Sequence, residues 1–88
     1  MTYYRVCSRL PVIAPQKSYE TPEQAWRAWE RAAASQAPNM TVAQAKESVV
    51  AVLIAGTTRR AVEEADGLSE PSGSIGQGKW HRVEQNDD

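Results

Sequence analysis

Phenylalanine is absent from this chain, cysteine and histidine occur once each, and neither sign of charge dominates, with 10 Lys and Arg against 11 Asp and Glu. Each shortage removes a class of protein. The lone Cys7 cannot close an intrachain disulfide, and with His81 as the only histidine there is no Cys/His set to hold zinc, so the core has neither a covalent nor a metal staple and no cofactor is expected. That favours a self-associating form, a homodimer, or a partner-bound one. The longest apolar run, Val49 to Ala55, falls far short of the roughly 20 residues that span a bilayer. The opening MTYYRVCSR lacks the basic-then-apolar pattern of a secretory leader, so a soluble cytoplasmic protein with no membrane contact is expected. Asn39-Met40-Thr41 matches the glycosylation acceptor pattern, but the match is common by chance and needs a secretory route for which nothing else argues.

What is present is ordinary globular composition: 41% apolar and 24% charged residues in 88. These read as a single small domain over 1–88. A chain of this length buries only about 60% of the surface its unfolded form exposes, so the core is small. The net charge of −1 argues against whole-protein attraction to nucleic acid. Its distribution is less even: residues 1–19 hold Arg5, Arg9 and Lys17 and no acid, while acids gather in the middle and in the Asp87-Asp88 tail.

Two short aromatic and basic segments bracket the chain, Tyr3-Tyr4-Arg5-Val6 and Trp80-His81-Arg82-Val83. Alternation at 3–9 predicts a strand with Tyr4 and Val6 on one face and Tyr3, Arg5, Cys7 and Arg9 on the other, ended by Pro11 and Pro15. Lys79 to Gln85 reads as a closing strand, with a frayed tail at 86–88. Thr21-Pro22-Glu23-Gln24 combines an N-cap hydroxyl, a first-turn proline and a capping-box glutamine, and starts a helix that Ala37-Pro38-Asn39 ends. Its apolar stripe carries Trp26 and Trp29, read as core residues. Thr41 with Gln44 starts a second helix, taken to continue through VVAVLIA, although the β-branched residues there also describe a buried strand. A short third helix, from about Thr58 to Asp66, is expected to close at Gly67 as a left-handed cap. The stretch 67–78 has the composition of a flexible Gly/Ser-rich loop.

Motifs with chemistry are few. Gly73 to Lys79 has the G-x-x-x-x-G-K spacing of a phosphate loop, but Trp80 stands where Ser or Thr must hold magnesium, and a strand rather than a helix follows. A thiol and imidazole pair from Cys7 and His81 requires them to face each other across a terminal hairpin. Glu63, Glu64 and Asp66 read as a solvated helix face. No catalytic residues emerge. The one grouping left is Tyr3, Arg5, Arg9, Lys79, Trp80, His81 and Arg82, residue types that dominate protein interfaces and also serve single-stranded nucleic acid. Alternation puts Lys79 and His81 on one face and Trp80 and Arg82 on the other, so only half the group shares a surface, and one of Tyr4 or Trp80 serves the core.

The expected architecture is α+β: N- and C-terminal strands forming a small antiparallel sheet against two or three helices. Two strands alone are marginal, so a third is expected from VVAVLIA, a second copy or a partner. The expected function is that of a non-enzymatic protein-binding module, in the style of bacterial or phage regulators and inhibitors that occupy a partner's surface. Nucleic-acid binding by the terminal strands is the alternative.

Overall fold

The computed structural model describes residues 1–83. Seven elements follow one another: β1 (Tyr3–Ser8), α1 (Pro22–Gln36), α2 (Val42–Ser48), β2 (Ala51–Gly56), α3 (Arg59–Glu64), β3 (Ser72–Ile75) and β4 (Gly78–Arg82). The four strands form one antiparallel sheet in the order β1-β2-β4-β3, so the architecture is α+β. The closing strand ends at Arg82. Val83, expected within it, follows the strand, and positions 84–85 of the expected span and the tail at 86–88 lie outside the described residues.

The helix starts follow the capping chemistry. Thr21, Thr41 and Thr58 each accept a backbone N–H from the third residue on, and Thr41 with Gln44 forms a reciprocal capping box. α1 buries Ala25, Trp29 and Ala33 from its apolar stripe, with Trp26 half-buried and edge-on to Trp29 at 5.9 Å between ring centroids.

VVAVLIA departs from the helical expectation. α2 stops at Ser48, Val49 caps it in extended backbone at φ −101 and ψ 128, and β2 begins at Ala51. A segment apolar on both sides needs cover on both sides. The middle of a sheet supplies this with a neighbour strand on each edge and side chains packed on each face, which suits Val52 and Ile54 better than a two-sided helix. β2 therefore separates the terminal strands. It pairs with β1 along its full length, Tyr3 opposite Gly56 to Ser8 opposite Ala51, and with β4 at Ile54, Ala55 and Gly56. The two ends of the chain share a sheet but stand two strand spacings apart, roughly 10 Å, rather than pairing as a ribbon.

Helices cover the sheet from both faces. On one side α1 and α2 pack over β1 and β2 through Val6, Val12, Trp29, Ala45, Val49 and Leu53. On the other α3 packs against Cys7, Ile54 and Trp80 with Ala61 and Val62. Gly67 is not the left-handed cap of α3, since Gly76 alone among the described residues has positive φ. A Cβ at Gly67 would meet Ile54 Cγ2 at 2.7 Å, so space, not backbone freedom, requires glycine. The final carbonyls of α3 are taken by a side chain instead. Arg5 Nη1 donates to the Val62, Glu63 and Ala65 carbonyls at 3.2 Å each, and its Nε donates to Pro15 O at 3.0 Å.

The stretch 67–78, expected as a loop, contains β3 and a two-residue turn. Gly76 at φ 59 followed by Gln77 at negative φ is the pattern of a type II′ hairpin turn, whose twist matches the flanking strands. Composition pointed to a linker because Ser and Gly dominate. Gly73 is needed for contact, because the Trp80 indole lies over it and a Cβ there would meet Nε1 at 2.8 Å.

Candidate interaction surfaces

The residues grouped from sequence do not form one surface. Trp80 is 3% exposed and belongs to the α3-side core, and Arg5 at 8% is spent on α3 and Pro15 carbonyls. Arg82, on that same face, donates to the carbonyls of Gly67 and Leu68 and braces the turn after α3. Tyr3 lies half-buried under the Arg59 guanidinium, 4.6 Å from its ring centroid, and Arg59 also reaches Glu20 at 3.5 Å. Arg9 is exposed beyond the end of β1, its backbone N–H donating to Val50 O. Only Lys79 and His81 project from the face opposite Trp80, and both are exposed.

Cys7 and His81 do not meet. Cys7 is buried on the α3 side, and β2 together with the sheet itself separates it from His81. No group of three or more His, Cys, Asp or Glu side chains converges to hold a metal ion among the described residues. The acidic stretch is not uniformly solvated: Glu63 is half-buried and accepts the Ser18 hydroxyl at 2.7 Å, and Glu64 pairs with Arg60. Asp66 is held below its ordinary value of 3.8, first by the Ser69 hydroxyl and then by the Ser69 N–H, with Arg9 adding a smaller attraction. Because the folded value is the lower one, this contribution is present above the ordinary carboxylate range and is lost as acid protonates Asp66.

Two surfaces remain. The first comes from the unequal cover on the sheet. α1 lies over β1 and β2 and leaves the same face of β4 and β3 open, so Ser72, Ser74, Lys79 and His81 stand exposed side by side, Ser72 opposite His81 and Ser74 opposite Lys79. Hairpin register turns the backbone groups of Gly73 and Ile75 toward β4 and those of Ser72 and Ser74 outward, along an edge with no further strand. This face continues into a cleft of about 660 Å³ walled by Trp26, Lys46, Ala51, Leu53, Pro71 and Val83. Lys46 Nζ sits 5.7 Å from the Trp26 ring centroid and pairs with Glu30 at 3.3 Å.

The second surface lies on the other flank of α1. There Lys17 and Tyr19, from the segment after β1, face Gln24, Arg27 and Arg31 across a groove of about 650 Å³. Helical periodicity puts Arg27 and Arg31 outside the apolar stripe of α1. What it could not show is that Tyr19 pairs backbone to backbone with Tyr4, N to O at 2.7 and 2.9 Å, which draws Lys17 alongside the helix. No helix among the described residues is long and apolar enough to cross a membrane. None of the protein families, curated proteins or solved structures compared with the chain matches it.

Proposed function

We propose that this chain is a small non-enzymatic protein-binding module that acts by occupying a partner's surface, as a cytoplasmic accessory regulator or inhibitor of bacterial or phage origin. The observation that carries the reading is the open half of the sheet, where β3 ends the sheet with outward backbone groups at Ser72 and Ser74. A partner segment that adds a strand there gains main-chain hydrogen bonds. Specificity then comes from alternate side chains that meet Lys79 and His81 or enter the cleft beside Trp26 and Val83. A second copy of the chain could use the same edge, which is how the homodimer would form.

The terminal strands give nucleic acid little to stack on, because Trp80 is 3% exposed and Tyr3 is covered by Arg59. The protein reading is therefore preferred to the nucleic-acid one. The test is affinity capture from a bacterial lysate with and without nuclease, comparing the native chain with Ser74→Pro and with Lys79→Glu/His81→Glu. Proline at 74 removes an outward N–H and leaves the β3–β4 hydrogen bonds in place. Capture that survives nuclease and is lost in both variants, with unchanged circular dichroism, is the expected result. Capture abolished by nuclease, or untouched by either variant, contradicts the proposal.

A further inference from the structure

We infer that the groove between α1 and the segment around Lys17 is a second binding site, one that takes an extended acidic peptide. Lys17, Arg27 and Arg31 line it, no carboxylate does, and none of the three forms an ion pair among the described residues. Of the acids on α1 and just before it, Glu30 pairs with Lys46 and Glu20 with Arg59, while Glu23, one turn before Arg27, neither lines the groove nor forms an ion pair among the described residues. Arg27 and Arg31 stand at i, i+4 on one helix, a like-charge spacing that disfavours the helix, and Lys17 adds a third positive group where a carboxylate would relieve the repulsion. An anion from outside supplies that relief.

The groove's shape selects the form of the anion. The floor between the cations is Ala28 and Ala32, small side chains that leave room for a backbone and offer no deep hole for an apolar anchor. Residues at i, i+4 are about 6 Å apart along a helix axis. Alternate side chains on one face of an extended chain repeat at roughly 6.6 Å. Acidic residues at every second position of an extended segment therefore meet both guanidinium groups, which bind carboxylates through paired N–H donors. Lys17 faces the segment from the opposite wall. Gln24 Oε1 accepts the Glu20 N–H at 3.3 Å, which leaves the Gln24 NH₂ to donate. A nucleic-acid strand is the poorer fit, because the only ring lining the groove, Tyr19, is half-buried with its backbone tied to Tyr4.

This site is independent of the open sheet face, and the variants that test the two do not overlap. The measurement is fluorescence anisotropy of the full chain with a fluorescein-labelled peptide of alternating Ser and Glu, an alternating Ser and Lys peptide as control, and a labelled oligothymidine. The acidic peptide is expected to bind saturably and to weaken as salt rises from about 50 to about 200 mM. Arg27→Gln/Arg31→Gln should weaken it by about tenfold or more, the combined loss expected of two exposed ion pairs, while Lys79→Glu/His81→Glu leaves it unchanged. All four substituted positions, Arg27 and Arg31 in the groove and Lys79 and His81 on the sheet face, are exposed, and circular dichroism checks that each variant folds. The inference is overturned by no saturable binding at low salt, by equal affinity in the Arg27/Arg31 variant, or by equal binding of the basic peptide. Tighter binding of oligothymidine than of the acidic peptide also overturns it and reassigns the groove to a nucleic-acid backbone.

Discussion

Arg5 and Arg9 project from the same side of one strand and its continuation, yet only one of them is a structural residue. Arg5 points under α3, where it replaces the water that would otherwise hold three final-turn carbonyls. Arg9 lies past the strand end in solvent. A buried guanidinium needs partners for its donors, and here Nε and Nη1 donate to four backbone carbonyls without a carboxylate. Arg5→Met keeps the aliphatic bulk and removes every donor, leaving buried carbonyls without partners. We expect it to lower unfolding free energy by about 3 kcal/mol, against a change within about 0.5 kcal/mol for Arg9→Ala, both by urea denaturation. Similar losses in the two variants would show that Arg5 does not cap α3. Nothing in the sequence separated these arginines, because the distinction lies in where α3 ends relative to β1.

At the scale of elements, local chemistry was readable and tertiary placement was not. Thr21-Pro22-Glu23-Gln24 and Thr41 with Gln44 announce helix starts through side-chain hydrogen bonds made within a few residues; both threonines accept the expected N–H, but only Thr41 with Gln44 completes the box, since Gln24 Oε1 accepts the Glu20 N–H rather than that of Thr21. β2 could not be separated from a helix by pattern, because its apolar continuity reflects two neighbouring strands and two packed faces that local periodicity does not record. The β3–β4 hairpin was hidden for a related reason: its Ser, Gly and Pro content resembles a linker, and the signal lies in single positions. Gly76 supplies the positive φ of the turn, and its Cβ position has only Arg60 Nη1 nearby, at 3.9 Å. Gly76→Val therefore introduces backbone strain without a collision. Its expected cost is about 1–2 kcal/mol, read by urea denaturation. A neutral effect would mean that the hairpin does not depend on this turn.

At the scale of the whole molecule, the pieces that define the candidate sites come from distant parts of the chain. α1 is placed over β1 and β2 by Trp29 and by Val12 from the segment after β1, and that placement leaves β4 and β3 open on the same side. The same helix turns Trp26 toward the cleft beside Val83 and Arg27 and Arg31 toward the groove beside Lys17. Of the seven residues singled out from composition, Tyr3, Arg5, Trp80 and Arg82 on the α3 face serve the fold, Arg9 lies in solvent past the end of β1, and Lys79 and His81 remain on the open face. Alternation had separated these two sets, but only the sheet order shows which set is covered.

The most direct measurement is amide hydrogen exchange, residue by residue, in the free chain and in complex with the captured partner. With their N–H groups directed away from β4, Ser72 and Ser74 should exchange rapidly when free and become protected in the complex, together with slower exchange near His81. Protection elsewhere that leaves Ser72 and Ser74 as fast as before would contradict strand addition at β3, and with it the proposed means by which this protein binds.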